Sequence, residues 1–523
     1  MKKTIFARAV ASRALCAALF SWTASAQPVP PRITPTPSLQ HRAENIGTNA
    51  SFTVTAFGTA PLAYQWQLNG LDLAGQTNRT LTFSAVQPAD EGDYSVVVIN
   101  LAGAVTSAPV RLWVTPCASA FVKANFTNGL GRLPYFYLLP THYDATQCYS
   151  LGLEFHGLGD ENCVTNAGSC GPGYLNYPAL KTLGSYRQQE RNPVIQLWPS
   201  KRAGDTFWTD AYLRQVSDLL DQFLSEFNVD TNRIYVVGGA EGVHAAWDLM
   251  AMRPGFFAGA VLAAGWQGGG PAASIRDVPV WAWCAKNDAS GQLTTAQQAV
   301  RALREAGGNV RYTEYVTGAY ADTFGFSDGS HIGGILMGSA TPTIVDWLLA
   351  QRRGAPSTAQ PLLTITSPTT QPAWTTGATN LNLTGSAAAL DQDVTRVAWE
   401  NAANKLTGIA EDSNAWSVAD IPLVAGKTNV VIVTGTTTSW APACGGNTTF
   451  NETLMVVCSP IQATLTLEGN TALLNWTGGG PPYRIQRATD LFASHWTNVL
   501  SDAISPVILP VTGACGFYRI VGQ

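Results

Sequence analysis

The sequence predicts a multidomain protein: a central α/β domain with a mostly parallel sheet, one β-sandwich before it and two β modules after it. Three observations lead there. The chain has 523 residues, more than one hydrophobic core usually supports. Between about residues 116 and 353, apolar strand-like runs alternate with helical ones, the pattern of strands joined by crossover helices. On both sides the texture changes to short alternating runs split by Gly and Asn turns, which suits antiparallel β structure.

Composition narrows the class. Hydrophobic residues make up 46% and charged residues 13%, a balance that suits exported β-rich modules. The net charge is −4 and no run of Lys or Arg forms a basic stripe, which argues against nucleic acid as a partner. Residues 1–26 read as a secretory signal: Lys2, Lys3 and Arg8 lead, an apolar stretch follows, and Ala24-Ser25-Ala26 supplies the cleavage site. The expected location is therefore extracellular or periplasmic. No later stretch reaches the ~20 apolar residues of a membrane span, so no integral membrane segment is expected.

The elements then follow in order. Residues 33–115 contain YQWQLNG (64–70) and DEGDYSVVV (90–98). This segment resembles the immunoglobulin fold, with Trp66 at the core tryptophan and Tyr94 at the tyrosine corner. Val54 and Val96 stand at the positions of the usual cysteines, so this sandwich is expected to hold without a disulfide. Residues 116–353 give the strands YSLGLEFHG, PVIQLWPS, RIYVVGG, AGAVLAAG and VPVWAWCA, with helices from 210 to 227, from 241, near 295–306, and in TIVDWLLAQRR. GAPSTAQP is a linker by composition. Residues 361–458 resemble an Ig-like sandwich of exported bacterial proteins, and 459–523 a small fibronectin-like module.

Export permits disulfides. Eight cysteines follow the signal. Cys163–Cys170 and Cys444–Cys458 are close enough to bridge, Cys117–Cys148 is a further pairing, and Cys284 sits in an apolar run as a buried thiol. Sequence leaves the connectivity open.

The chemistry centres on YVVGGAEGVHAAW, residues 235–247. A strand, a glycine turn and a helix start there, the setting of the nucleophile pattern G-x-S-x-G. The frame reads Gly238, Gly239, Ala240, Glu241, Gly242. Only Ala240 at the tip puts glycines two before and two after.

Together with LPYFYLLPTHYDATQCYSLGLEFHGLGD, VPVWAWCAKND and VDWLLAQRR, this run resembles the α/β-hydrolase esterases, in particular the secreted group of polyhydroxybutyrate depolymerases and feruloyl esterases. The resemblance covers under half of the chain. It implies a nucleophile position at Ala240, an acid at Asp288 and a histidine at His331, the last after an insertion, since Ala319-Tyr320 stands where the family has its histidine. It implies oxyanion donors at the backbone of Leu158, in His156-Gly157-Leu158-Gly159-Asp160, and of Glu241. Trp208 and Trp266 are candidates for lining the substrate pocket, or for the core. His244, on the elbow helix, reads as packed or solvated.

A methyl group cannot attack a carbonyl, so no acyl-enzyme forms at Ala240. A literal G-x-S-x-G occurs at residues 325–329, with Ser327, but lacks the flanking strand and helix. The expectation is a non-catalytic or strongly impaired carboxylic-ester hydrolase that binds an ester-bearing small molecule, a polysaccharide or a polyester. The alternatives are an active secreted carboxylesterase with an unrecognised nucleophile such as Ser327 and a purely adhesive surface protein. No metal signature and no phosphate loop is present, and no cofactor is expected.

Overall fold

The computed structural model describes residues 27–522 apart from 35–38, 40, 117–119, 158–180, 203–204, 206, 266, 316–330, 332–334, 336–340, 356–360, 390–392, 440–446, 460, 470, 480–481, 490–494 and 511–516. The chain is multidomain and rich in strands.

At the N-terminal end, strand Gly92–Asn100 pairs antiparallel with Ala63–Leu68 on one side and Val110–Thr115 on the other. Alternation buries every second residue of Gly92–Asn100. Val54, Trp66 and Val96 are all fully buried in one cluster, and Trp66 lies directly opposite Val96. The Tyr94 hydroxyl donates to the Asp90 carbonyl at 2.7 Å, pinning the corner.

Among the described residues the central unit has eight strands: β1 (Val122–Asn128), β2 (Gly131–Leu138), β3 (Tyr149–Phe155), β4 (Val194–Pro199), β5 (Val229–Gly239), β6 (Gly259–Ala263), β7 (Val280–Ala285) and β8 (Val310–Tyr315). Its helices are α1 (Tyr186–Arg191), α2 (Asp210–Glu226), α3 (Glu241–Met252), α4 (Gln292–Glu305) and α5 (Pro342–Ala350). The sheet order is β1-β2-β4-β3-β5-β6-β7-β8. From β4 through β8 the neighbours run parallel, while β1 and β2 form an antiparallel edge.

Parallel strands covered by helices on both faces must be apolar throughout. Accordingly β3, β6 and β7 are buried at every residue. Helix α2 turns Leu213, Val216, Leu220 and Phe223 inward at helical spacing, and α4 does the same with Ala296, Ala299, Val300 and Leu303. The chain leaves β3 toward β4 on one side and returns to β5 on the other. That reversal makes the carboxyl ends of β3 and β5 the topological switch point, the place where open α/β sheets take ligands.

The C-terminal β structure departs from the expected separate module. Strand Asn447–Cys458 pairs antiparallel with β8, so the central sheet runs on through Thr428–Ser439, Val394–Asn401 and Leu406–Ile409. The junction is hydrogen-bonded through side chains: Asn451 Oδ1 accepts from the Val310 N–H at 2.9 Å, and the Thr313 and Thr448 hydroxyls are 2.8 Å apart. A second layer, Leu362–Ser367, Asn380–Ala388 and Ala415–Pro422, packs over it around Trp416. The last residues form two three-stranded antiparallel sheets around Trp476 and Ile485.

Cys148 and Cys458 are free thiols, so neither proposed bridge to them forms. Cys458 ends its strand buried, its sulfur 3.2 Å from the Ala378 carbonyl oxygen. Cys284 is buried and free.

Candidate active site

Strand β5 delivers Ala240 at its carboxyl end, and α3 begins at the next residue. Ala240 has φ 51° and ψ −120°, a backbone conformation that L-residues seldom adopt. Space explains the glycines around it. A Cβ on Gly238 would stand 2.3 Å from the Gly242 carbonyl oxygen, and one on Gly242 would stand 2.2 Å from that of Phe155. The turn is therefore as sharp as a nucleophile elbow, and α3 presses against the end of β3. The Ala240 N–H donates to the Ala263 carbonyl at 2.9 Å, which ties the tip to β6.

Asp288 follows β7, and His331 lies between β8 and α5. Both belong to the carboxyl end of the sheet, as Ala240 does. His331 Nδ1 is 2.7 Å from Asp288 Oδ2. The Ser290 hydroxyl donates to Asp288 Oδ1 at 2.5 Å and its oxygen is 3.0 Å from His331 Nδ1. The Ser290 N–H reaches the same carboxylate oxygen at 2.9 Å. Burial pushes Asp288 upward, but the hydrogen bonds from His331 and Ser290 outweigh it and hold the carboxyl below its usual value. Cys284, 3.6 Å from Asp288 Oδ2, is pushed up by burial and by that charge, and stays a thiol. Ser290 was not singled out from sequence. Its signal is the D-x-S spacing, which favours a local carboxylate–hydroxyl turn.

Glu241 was marked for its backbone. As the first residue of α3, its N–H has no carbonyl one turn back to receive it. Its side chain does something the sequence did not announce. Glu241 Oε2 pairs with Lys201 Nζ at 2.5 Å, and both side chains are buried. Glu241 Oε1 accepts from the Trp208 N–H at 2.6 Å. One carboxylate thus fastens the first turn of α3 to two segments between β4 and α2.

His156, at the end of β3, closes the other side. Its Nδ1 donates to the Gly157 carbonyl at 2.7 Å, and its Nε2 accepts from the Lys201 N–H at 3.2 Å. Burial, and then the Lys201 charge, lower its pKa to about 3. His156 is a neutral structural ring rather than a base.

Trp208 belongs to this support. It is 2% exposed, its Nε1 donates to the His156 carbonyl at 3.1 Å, and its ring stands edge-on to Phe155. It packs in the core instead of lining an open pocket. Leu158, Trp266 and Ser327 lie outside the described residues. His244 faces Asp248 at 3.4 Å on α3.

Comparison with known proteins gives partial matches. Residues 30–100 match the immunoglobulin domain family. A stretch of 105 residues is 37% identical to endoglucanase C of Cellulomonas fimi, covering 19% of this chain and 10% of that protein. Among solved structures, a thermostable esterase is 19% identical over 62% of this chain and 90% of its own, with TM-score 0.38. A ferulic acid esterase from Anaeromyces mucronatus, in complex with ferulic acid, is 14% identical over 42% of this chain and 89% of its own, with TM-score 0.32. A serine-to-alanine variant of the feruloyl esterase module from Clostridium thermocellum, in complex with sinapinate, is 18% identical over 37% and 74%, with TM-score 0.29. The structural neighbours are esterases, but at these TM-scores the likeness carries no argument. The immunoglobulin match covers residues of the N-terminal sandwich.

Proposed function

We propose that the central unit is an α/β-hydrolase esterase scaffold whose nucleophile position is filled by alanine, and that the protein binds an ester-bearing ligand without turning it over efficiently. The observation that carries this reading is the elbow. Ala240 keeps a strained conformation that an alanine has no chemical use for, within a turn that excludes side chains at Gly238 and Gly242.

The supporting parts match ester chemistry. The Glu241 N–H, at the start of a helix, is placed to stabilise a carbonyl oxygen that gains negative charge. Asp288 and His331 form the pair that takes and returns a proton. What is lacking is the group that gives His331 its proton and attacks the carbonyl carbon. Residues 1–26 direct the chain to the outside of the cell, and the Ig-like module suits attachment to polymeric material. The ligand class is a phenolic or acetyl ester of a polysaccharide, or a polyester.

Ala240→Ser tests the reading with a chromogenic aryl ester. Serine should restore hydrolysis, and His331→Ala in the same chain should remove it. Strong wild-type hydrolysis that disappears in Ser327→Ala would instead make Ser327 the nucleophile.

A further inference from the structure

Where the central sheet continues into the C-terminal strands, α4 leaves one face of the junction uncovered. A cleft of about 850 Å³ lies there, within the usual size of a small-ligand site. Its floor follows the sheet alternation. Arg396, Ala398 and Glu400 come from one strand, Ile432, Thr434 and Thr436 from the next, and Tyr312 and Glu314 from β8. Helix α4 supplies Gln297, Val300, Arg301 and Arg304 at helical spacing.

We propose that this cleft is a binding site for an acidic saccharide, a chain of sugar rings bearing carboxylates. The two acids of the cleft are already engaged. Glu400 accepts from Arg301 at 2.6 Å, and Glu314 accepts from Gln297 at 2.7 Å with Lys286 at 4.0 Å. Two cations remain. Arg396 is exposed and makes no ion pair among the described residues. Arg304 bonds only neutral acceptors: Asn451 Oδ1 at 3.3 Å, the Val310 carbonyl at 3.2 Å and the Thr449 hydroxyl at 3.2 Å. Burial without a carboxylate lowers the Arg304 pKa to about 10. An anion beside it would relieve that cost.

A second observation points to a ligand. Tyr312 lines the cleft and is 5% exposed, yet among the described residues its hydroxyl has no hydrogen-bond partner. Buried hydroxyls are normally satisfied, so an orphan at the wall of a cleft marks a bond left for something else. The rest of the lining argues for sugar over a compact anion. The threonine hydroxyls of Thr407, Thr434 and Thr436 both donate and accept, as sugar hydroxyls require, and 850 Å³ accommodates more than one ring. This site shares no residue with the elbow, Asp288 or His331, so it stands whether or not the central unit binds esters.

Calorimetric titration of the full chain tests it with three probes: α-1,4-linked trigalacturonate, neutral xylotriose and citrate. Trigalacturonate should bind, at least about tenfold more tightly than either of the others, and more weakly as salt rises. Arg396→Gln should weaken it about tenfold. Tyr312→Phe should weaken it several-fold while leaving the melting temperature unchanged or higher, because it removes a hydroxyl without a partner among the described residues. No trigalacturonate binding overturns the proposal. So does citrate binding as tightly, which would make the cleft a simple anion site, and so does binding that neither variant alters.

Discussion

His331 Nδ1 lies 2.7 Å from Asp288 Oδ2, and the Ser290 hydroxyl bridges the pair. The Asp288 carboxyl, held below its usual value by these bonds, is an acceptor for a proton on Nδ1. His331 and Ala240 both follow strands of the sheet at its carboxyl end, and the Ala240 methyl has no proton that a base could take.

Ala240→Ser supplies the missing group. Serine Oγ would attack the ester carbonyl carbon, His331 would take the hydroxyl proton, and the leaving alcohol would receive it. Water would then cleave the acyl-enzyme by the same route. Turnover of a simple aryl ester should rise at least ~10²-fold over wild type, and Ala240→Ser with His331→Ala should fall back to the wild-type level. A serine variant no faster than wild type would mean that the pair and the elbow do not converge.

Ser290→Ala in the Ala240→Ser chain separates positioning from folding. It removes one hydrogen bond to the Asp288 carboxylate, so that carboxyl should titrate at a higher pH. The acid limb of the kcat profile should move upward, and kcat should fall several-fold with KM nearly constant. A change confined to melting temperature would assign Ser290 a structural role only.

The buried Lys201–Glu241 pair predicts a stability effect. Glu241→Gln removes the carboxylate paired with the buried Lys201 ammonium and should cost about 3–5 kcal/mol. Lys201→Met added to Glu241→Gln removes the ammonium and keeps an acceptor for the Trp208 N–H, so the double variant should be more stable than the single one. Urea unfolding followed by tryptophan fluorescence checks both. A single variant within about 0.5 kcal/mol of wild type would show that the pair is not dry.

Parts of this arrangement are legible in the sequence because they are local. Gly238 and Gly242 are dictated by contacts of 2.3 and 2.2 Å that no side chain could survive, and a steric rule of that kind leaves a fixed spacing. The amphipathic period of α2 and α4 is equally local. The Lys201–Glu241 pair spans 40 residues and has no periodic signature. The junction of β8 with Asn447–Cys458 joins residues more than 130 apart. An edge strand accepts a partner through backbone groups that every residue carries, so the continuation of the sheet could not be read from side-chain pattern. Trp208 stays open between two readings in the sequence for a related reason: an indole before a helix suits a ligand wall and a core equally.

The same junction should be sensitive to pH. Burial pushes Glu452 from its ordinary 4.5 up to about 7, with Arg311 opposing through its charge. The folded chain therefore holds this proton more tightly than the unfolded one. The stability it gives is complete below about 4.5 and is lost as pH rises through about 7, where ionisation occurs in a poorly solvated place. The loss should be about 1–3 kcal/mol. Glu452→Gln should flatten the dependence of melting temperature on pH between those limits. A variant whose profile parallels wild type would place the titration elsewhere.

The elbow itself should be measurable as strain. Ala240 sits at φ 51° and ψ −120°, where its Cβ is crowded by its own backbone. Positions of this kind cost about 1–3 kcal/mol. Glycine reaches the same conformation without that penalty, while it makes the unfolded chain more flexible by about 0.4–1 kcal/mol. Relief should exceed the entropy term, so Ala240→Gly should stabilise the central unit by about 1 kcal/mol, the reverse of what the substitution does in a helix or strand. Ala240→Ser retains a Cβ and should leave stability near wild type. If glycine instead destabilises by the usual amount, the turn is relaxed in solution, and the geometry that makes serine a nucleophile at this position is not held by the unliganded protein.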